Sequence, residues 1–205
     1  MPTNLNPVQE IVRIFQVNLS IVKKNDIAEN ALKLIRNAGN SYAYKNYPKS
    51  PYKNLTSNKI PGKSELKWLK DNNKCNQFVG DVLTLSGYAM PTNKMTDGTE
   101  HFKSAITLPS QTQYFDKRTK FSDIQKGDVF VKDYERGNGV GHTEIVTDIK
   151  QEKGKTIITL AGAHKTGAYT TTMTLDNNYR YNQTKQGWNN GSQSIYFLRP
   201  KKPLN

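Results

Sequence analysis

Cysteine is almost absent: Cys75 is the only one in 205 residues. That excludes an internal disulfide framework and a zinc site of clustered thiolates, and leaves packing or chemistry as the roles of this thiol. Long apolar runs are lacking as well. No stretch approaches the roughly 20 residues that cross a bilayer, so membrane insertion is not expected. Residues 1–10 show no basic segment leading into an apolar one, and no export signal is expected there. Histidine is scarce, at three residues, and acidic side chains are outnumbered, 17 against 30 Lys and Arg. The net charge of +13 attracts polyanions such as nucleic acid, anionic lipid or bacterial wall polymers without choosing among them. No Lys/Arg run resembles a basic arm or a basic-region helix, so nucleic acid is not expected as a partner.

What is present fits one domain with a real core. Apolar residues make up 35% of the chain, with eleven Tyr and seven Phe among them. Residues 1–24 read as a leading segment, an attachment element with no clean period, and residues 25–205 as a single catalytic domain. Asn25 or Asp26 caps a helix in which Ile27, Ala31, Leu34, Ile35 and Ala38 fall at helical spacing before Gly39 stops it. Residues 44–62 read as a long exposed loop and residues 65–69 as a helical turn. Asn72 and Asn73 offer caps to a helix starting at Cys75, with Phe78, Val79, Val82, Leu83 and Leu85 on its buried stripe and Gly87 at its end. Residues 89–122 read as irregular chain with a short helix over 100–106. Strands follow at 128–132, 143–149, 156–161, 169–175 and 195–199, the second and third joined at Lys153-Gly154-Lys155. Helices first and an antiparallel sheet afterwards make an α+β domain.

The chemistry converges on Cys75. A thiol in the first turn of a helix meets unpaired N–H groups and the positive end of the helix dipole, which favour thiolate. Against this stands packing, the commoner fate of a lone cysteine beside an apolar stripe. His142 tips the balance: it follows the Gly-flanked segment 137–141 and opens a strong strand, where an imidazole projects toward a site. His164 ends the next strand, and a hairpin brings it back beside His142 as a candidate orienting group. Glu144 shares the face of His142 by strand alternation and competes for that role, or pairs with a lysine. His101 lies in a weakly patterned polar segment. No ligand cluster demands a metal, and no cofactor is expected.

Four segments in order carry a resemblance: Gly39-Asn40-Ser41-Tyr42-Ala43-Tyr44; Asn73-Lys74-Cys75-Asn76-Gln77-Phe78-Val79; Gly127-Asp128-Val129-Phe130-Val131; and Gly141-His142-Thr143-Glu144-Ile145-Val146. Together, from about residue 27 to the C-terminus, they resemble the NlpC-type peptidoglycan peptidases, a papain-like superfamily that includes CHAP amidases and type VI secretion amidase effectors. The resemblance implies a papain-like fold with N-terminal helices packed on a central antiparallel sheet. It implies Cys75 attacking an amide of the cell-wall stem peptide, with His142 as base, His164 as third member and the Cys75 N–H in the oxyanion hole. Tyr42 is carried over as a site residue, and Asn73 and Glu144 are expected with it on the substrate side. The sequence departs from the family at Glu144, where a small residue is usual, and in the long separation of His164 from His142.

A cell-wall substrate for a chain without an export signal implies delivery from the cytoplasm by another route. An antibacterial toxin passed to the periplasm of a target cell by a secretion apparatus, with an immunity protein plugging its cleft, is the first expectation and a phage lysin the second. The same Cys and His also suit a transglutaminase or acyltransferase. A noncatalytic basic binding module, with Cys75 in the core, is the alternative from a different class.

Overall fold

The computed structural model describes residues 26–43, 73–96, 100–134, 141–191 and 193–203. The leading segment 1–24, the loop at 44–62, the turn at 65–69 and the Gly-flanked residues 137–140 lie outside the described residues. Helix α1 spans Ile27–Ala38. Asp26 caps it, its side chain accepting from the Glu29 N–H at 2.9 Å, and Ile27, Ala31 and Leu34 turn inward at helical spacing. Gly39 does not stop the chain by a left-handed turn. Its φ is −53°, and the backbone runs on into a 3₁₀ turn over Gly39–Tyr42. The glycine is needed for proximity, since a Cβ there would sit 2.8 Å from the Ala168 carbonyl oxygen.

Helix α2 spans Cys75–Leu85, and buries Cys75 and every residue of Gln77–Leu83. A helix covered nearly all round is a central one. Its cap position is Lys74, without a side-chain cap bond, so Asn73 does not cap the helix as expected. Lys74 instead is buried and its ammonium donates to the Ala43 carbonyl, tying the 3₁₀ turn to the start of α2. At the far end Asn30 donates to Ser86 Oγ at 2.9 Å and Ser86 Oγ to the Val82 carbonyl at 2.8 Å, which fixes α1 against the last turn of α2.

Ten strands follow. β1 (Thr92–Lys94) and β2 (Glu100–Phe102) pair with each other. β3 (Phe115–Lys117), β4 (Val129–Asp133), β5 (Gly141–Glu152), β6 (Lys155–His164), β7 (Gly167–Leu175), β8 (Arg180–Asn182), β9 (Gly187–Asn190) and β10 (Gln193–Pro200) build one antiparallel sheet. Its order is β7-β6-β5-β4-β10-β9-β8, with β3 also on β10. The five expected strands are thus present, and the Lys153-Gly154 turn joins β5 to β6 with positive φ at both residues. The helix expected over 100–106 is absent. Phe102 is in a strand, its ring occupying the space that a Cβ on Gly80 would take, and a 3₁₀ segment, Ala105–Ser110, containing Pro109, comes after it.

The sheet separates two apolar clusters, and period-2 alternation sorts the residues. Val129, Val131, Ile145, Ala161, Ala163 and Leu198 join α1 and α2, while Phe130, Val146, Leu160, Trp188, Ile195 and Phe197 pack on the other side. The result is an α+β domain with a large antiparallel sheet and few helices. Among the described residues, no helix is long and apolar enough to cross a membrane.

Candidate active site

The site forms at one end of the sheet, where β5 begins, β6 ends and the first turn of α2 reaches both. A cleft of about 380 Å³ opens there, lined by Asn73, Cys75, Tyr134, Gly141, His142, Ala163, His164 and Lys165. Antiparallel pairing explains why residues distant in sequence meet: Ile145 faces Ala161, and three further steps along both strands bring His142 toward His164. The same alternation puts Glu144 on their side of the sheet.

Glu144 is the centre of this group. It is 4% exposed, with Oε1 3.1 Å from His164 Nε2 and Oε2 3.7 Å from His142 Nε2. Thr171 Oγ1 on β7 donates to Oε1 at 3.3 Å. The carboxylate fits because position 162 has no side chain: a Cβ on Gly162 would meet Glu144 Cγ at 2.5 Å. The two imidazole rings are 5.0 Å apart between centroids, and Tyr169 stacks on His164 at 4.2 Å.

The charges follow from these contacts. Burial pushes the Glu144 carboxyl up, but His142 and His164, by contact and by charge, outweigh it and bring the pKa down to about 2. Burial likewise opposes a charged His142. Its interactions with Cys75 and Glu144, by contact and by charge, prevail, and the pKa rises to about 9. With Nε2 turned toward Glu144, Nδ1 is the nitrogen left for Cys75. At the distances found, Nε2 of each imidazole holds the carboxylate ionised electrostatically, yet both atoms are buried and neither is aligned with a hydrogen-bond acceptor.

Compared with known proteins, the chain matches no protein-family model, no curated protein and no solved structure. The reading of the site therefore rests on its own geometry.

Sequence reasoning and geometry meet at Cys75, His142 and His164, which share the cleft, and at Asn73 on its wall. Glu144, expected on the substrate side or as a competitor of His164, stands between the two histidines, so the direct neighbour of His142 Nε2 is Glu144 and His164 acts on the carboxylate. Tyr42 is not on the cleft wall. It is 2% exposed, its ring edge-on to Phe78 at 5.2 Å and its hydroxyl donating to Asp81 Oδ2 at 2.7 Å, which makes it a support of α2. His101 lies on β2, outside the cleft. Sequence reasoning missed Gly162, Tyr169 and Thr171. The signal was available in the hairpin from β6 to β7, whose register sets Tyr169 opposite Gly162 and Thr171 opposite Leu160.

Proposed function

We propose that this chain is a cysteine-dependent peptidoglycan amidohydrolase of the papain-like NlpC type. The observation that carries the reading is the Cys75 thiol in the first turn of α2 sharing one cleft with His142, whose Nε2 faces a buried, ionised Glu144. A nucleophile, a base and an orienting acceptor in that order are the parts of a thiol hydrolase.

In this reaction Cys75 passes its thiol proton to His142 and Sγ attacks the carbonyl carbon of the scissile amide, and N–H groups of the first turn of α2 stabilise the oxyanion. His142 gives its proton to the leaving nitrogen, the C–N bond breaks, and a thioester remains. Water then attacks the thioester carbon as His142 takes its proton, the C–S bond breaks, His142 returns that proton to sulfur, and the carboxylic acid formed ionises and leaves. A raised imidazole pKa serves the first half of this cycle, because it keeps on His142 the proton that the amine needs. Glu144 balances the charge of the imidazolium at Nε2, and Thr171 holds Glu144 by a hydrogen bond.

The substrate class rests on the sequence resemblance and suits the charge of +13, since wall polymers are polyanionic. Action on the wall of a target bacterium, delivery as a secreted toxin and an immunity protein that fills the cleft belong to the same reading. Purified sacculi incubated with the chain should release soluble muropeptides bearing new amines and carboxylates, and their masses identify the bond cut. Cys75→Ala should abolish release. Digestion at the normal rate by Cys75→Ala sinks the thiol mechanism, and incorporation of an added amine without net hydrolysis makes the chain a transferase instead.

A further inference from the structure

The group around Glu144 has an unusual feature for a purely acid–base site. His142 Nε2 and His164 Nε2 are both buried without a hydrogen-bond partner, and both face one carboxylate. Buried polar atoms are rarely left so, and an orphaned pair pointing into a common space invites a ligand that accepts lone pairs. One ligand atom from each of His142, Glu144 and His164 lies within 4.8 Å of the others.

Two neutral imidazoles and a carboxylate are the donor set of zinc and related first-row divalent ions, whereas calcium and magnesium select oxygen. The spacing suits such an ion. Bonds of about 2.0–2.1 Å in a tetrahedron separate neighbouring ligands by roughly 3.4 Å; here His164 Nε2 is 3.1 Å from Glu144 Oε1 and His142 Nε2 is 3.7 Å from Oε2, one imidazole beside each oxygen. Outer support is in place too: Thr171 donates to Glu144, and Tyr169 lies flat on His164. Both fix ligand orientation, as the partners of metal ligands do.

We propose that His142, Glu144 and His164 bind one divalent transition ion of the zinc type, and that the occupied site is catalytically off. The binding stands on the geometry alone, and the off state rests on the proposed cysteine mechanism. An ion held by His142 Nε2 and Glu144 removes the carboxylate support of the imidazolium and fixes the ring as a ligand. Its electron pair toward Cys75 no longer cycles between acid and base.

Zinc chloride titrated into the full chain against a chromophoric chelator should show one equivalent bound. In ¹⁵N spectra of the imidazoles, two of the three histidines should shift with that equivalent while His101 does not. This reading uses the unaltered protein and is independent of whether a variant folds. His164→Ala should weaken zinc at least tenfold, since even outer-shell losses cost about 10- to 100-fold. Absence of binding in the micromolar range, a shift at His101 in place of the pair, or undiminished affinity in folded His164→Ala would each overturn the site. Addition of zinc should suppress release of muropeptides, and a chelator should restore it. Zinc that leaves the rate unchanged or raises it overturns the off state. A chain that binds zinc at the pair and never digests sacculi upholds the metal site while removing the function proposed above.

Discussion

Glu144 lies across Gly162, so closely that a Cβ on the glycine would sit 2.5 Å from Glu144 Cγ and 2.9 Å from its Oε1. A strand glycine usually marks a weakness in packing, but here it leaves the room that brings a carboxylate beneath two imidazoles. Gly162→Ala should therefore displace Glu144 from His142. The overpacking is expected to cost about 1–3 kcal/mol of stability. The proposed activity on sacculi should fall by more than the folded fraction does, roughly tenfold or beyond, because the proposed mechanism makes a misplaced Glu144 costly. A thermal melt beside a digestion assay separates the two, and a folded Gly162→Ala protein with the parental rate would show that the position of Glu144 is unimportant.

The two shifted groups also predict how stability varies with pH in the presence of a chelator. His142 is raised from 6.5 to about 9, so its contribution is complete below about pH 6.5 and is lost as pH rises through about 9. Glu144 is lowered from 4.5 to about 2, so its contribution is complete above about pH 4.5 and is lost as pH falls through about 2. The contact between His142 and Glu144 enters both shifts and counts once, while Cys75 adds to the first and His164 to the second. The difference in Tm between the parent and Glu144→Gln should thus be widest between about pH 4.5 and 6.5 and narrow on either side. A difference that does not vary with pH would show that the carboxylate charge is not what holds the histidines.

The strong signals in the sequence were long ones. Ile27, Ala31 and Leu34 specify a helix by themselves, and the alternating residues of β5 and β10 specify strands, because each element buries one side against a large neighbour. β1, β2, β3, β8 and β9 have three or four residues each, too few for a period to show, and exist because a partner strand supplies the pairing. Cys75 and His142 were legible from their places at the start of a helix and of a strand. The relation of Glu144 to His164 was not, since it depends on register and on the missing side chain at 162. Tyr42 misled for a related reason: a motif gives proximity to α2 but not which way the ring points.

Asp128 and Arg199 lock β10 to the turn before β4. Arg199 Nε donates to Asp128 Oδ1 at 2.9 Å and Nη2 to Oδ2 at 3.0 Å, and the Gln125 N–H also donates to Oδ2. The Asp128 side chain is 2% exposed and that of Arg199 31%. The cost of removing one partner depends on what the other is left with. In Asp128→Ala the guanidinium re-enters water, but the Gln125 N–H also loses its acceptor, and about 2–3 kcal/mol should be lost. Arg199→Ala strands the more deeply buried carboxylate and is expected to cost as much or more, about 3 kcal/mol. Denaturant melts of the two variants test the order, and equal retention of parental stability by both would mean that the pair does not fasten this edge.

Tyr42 offers a clean separation between touching substrate and supporting the helix that does. Its hydroxyl donates to Asp81, which also accepts from Gln77 Nε2 at 2.7 Å, and all three side chains are buried within or against α2. Tyr42→Phe keeps the ring on Phe78 and removes only the O–H donor. Loss of a charge-assisted bond to a buried carboxylate should lower stability by about 1.5–3 kcal/mol. The site itself is unchanged in chemistry, so KM for soluble muropeptides and kcat per folded molecule should both stay near parental values well below the melting temperature. A residue on the cleft wall would give the opposite pattern, with Tm preserved and KM raised. That outcome would place the Tyr42 hydroxyl on substrate and would require α1 and the 3₁₀ turn to move away from Asp81 during the reaction.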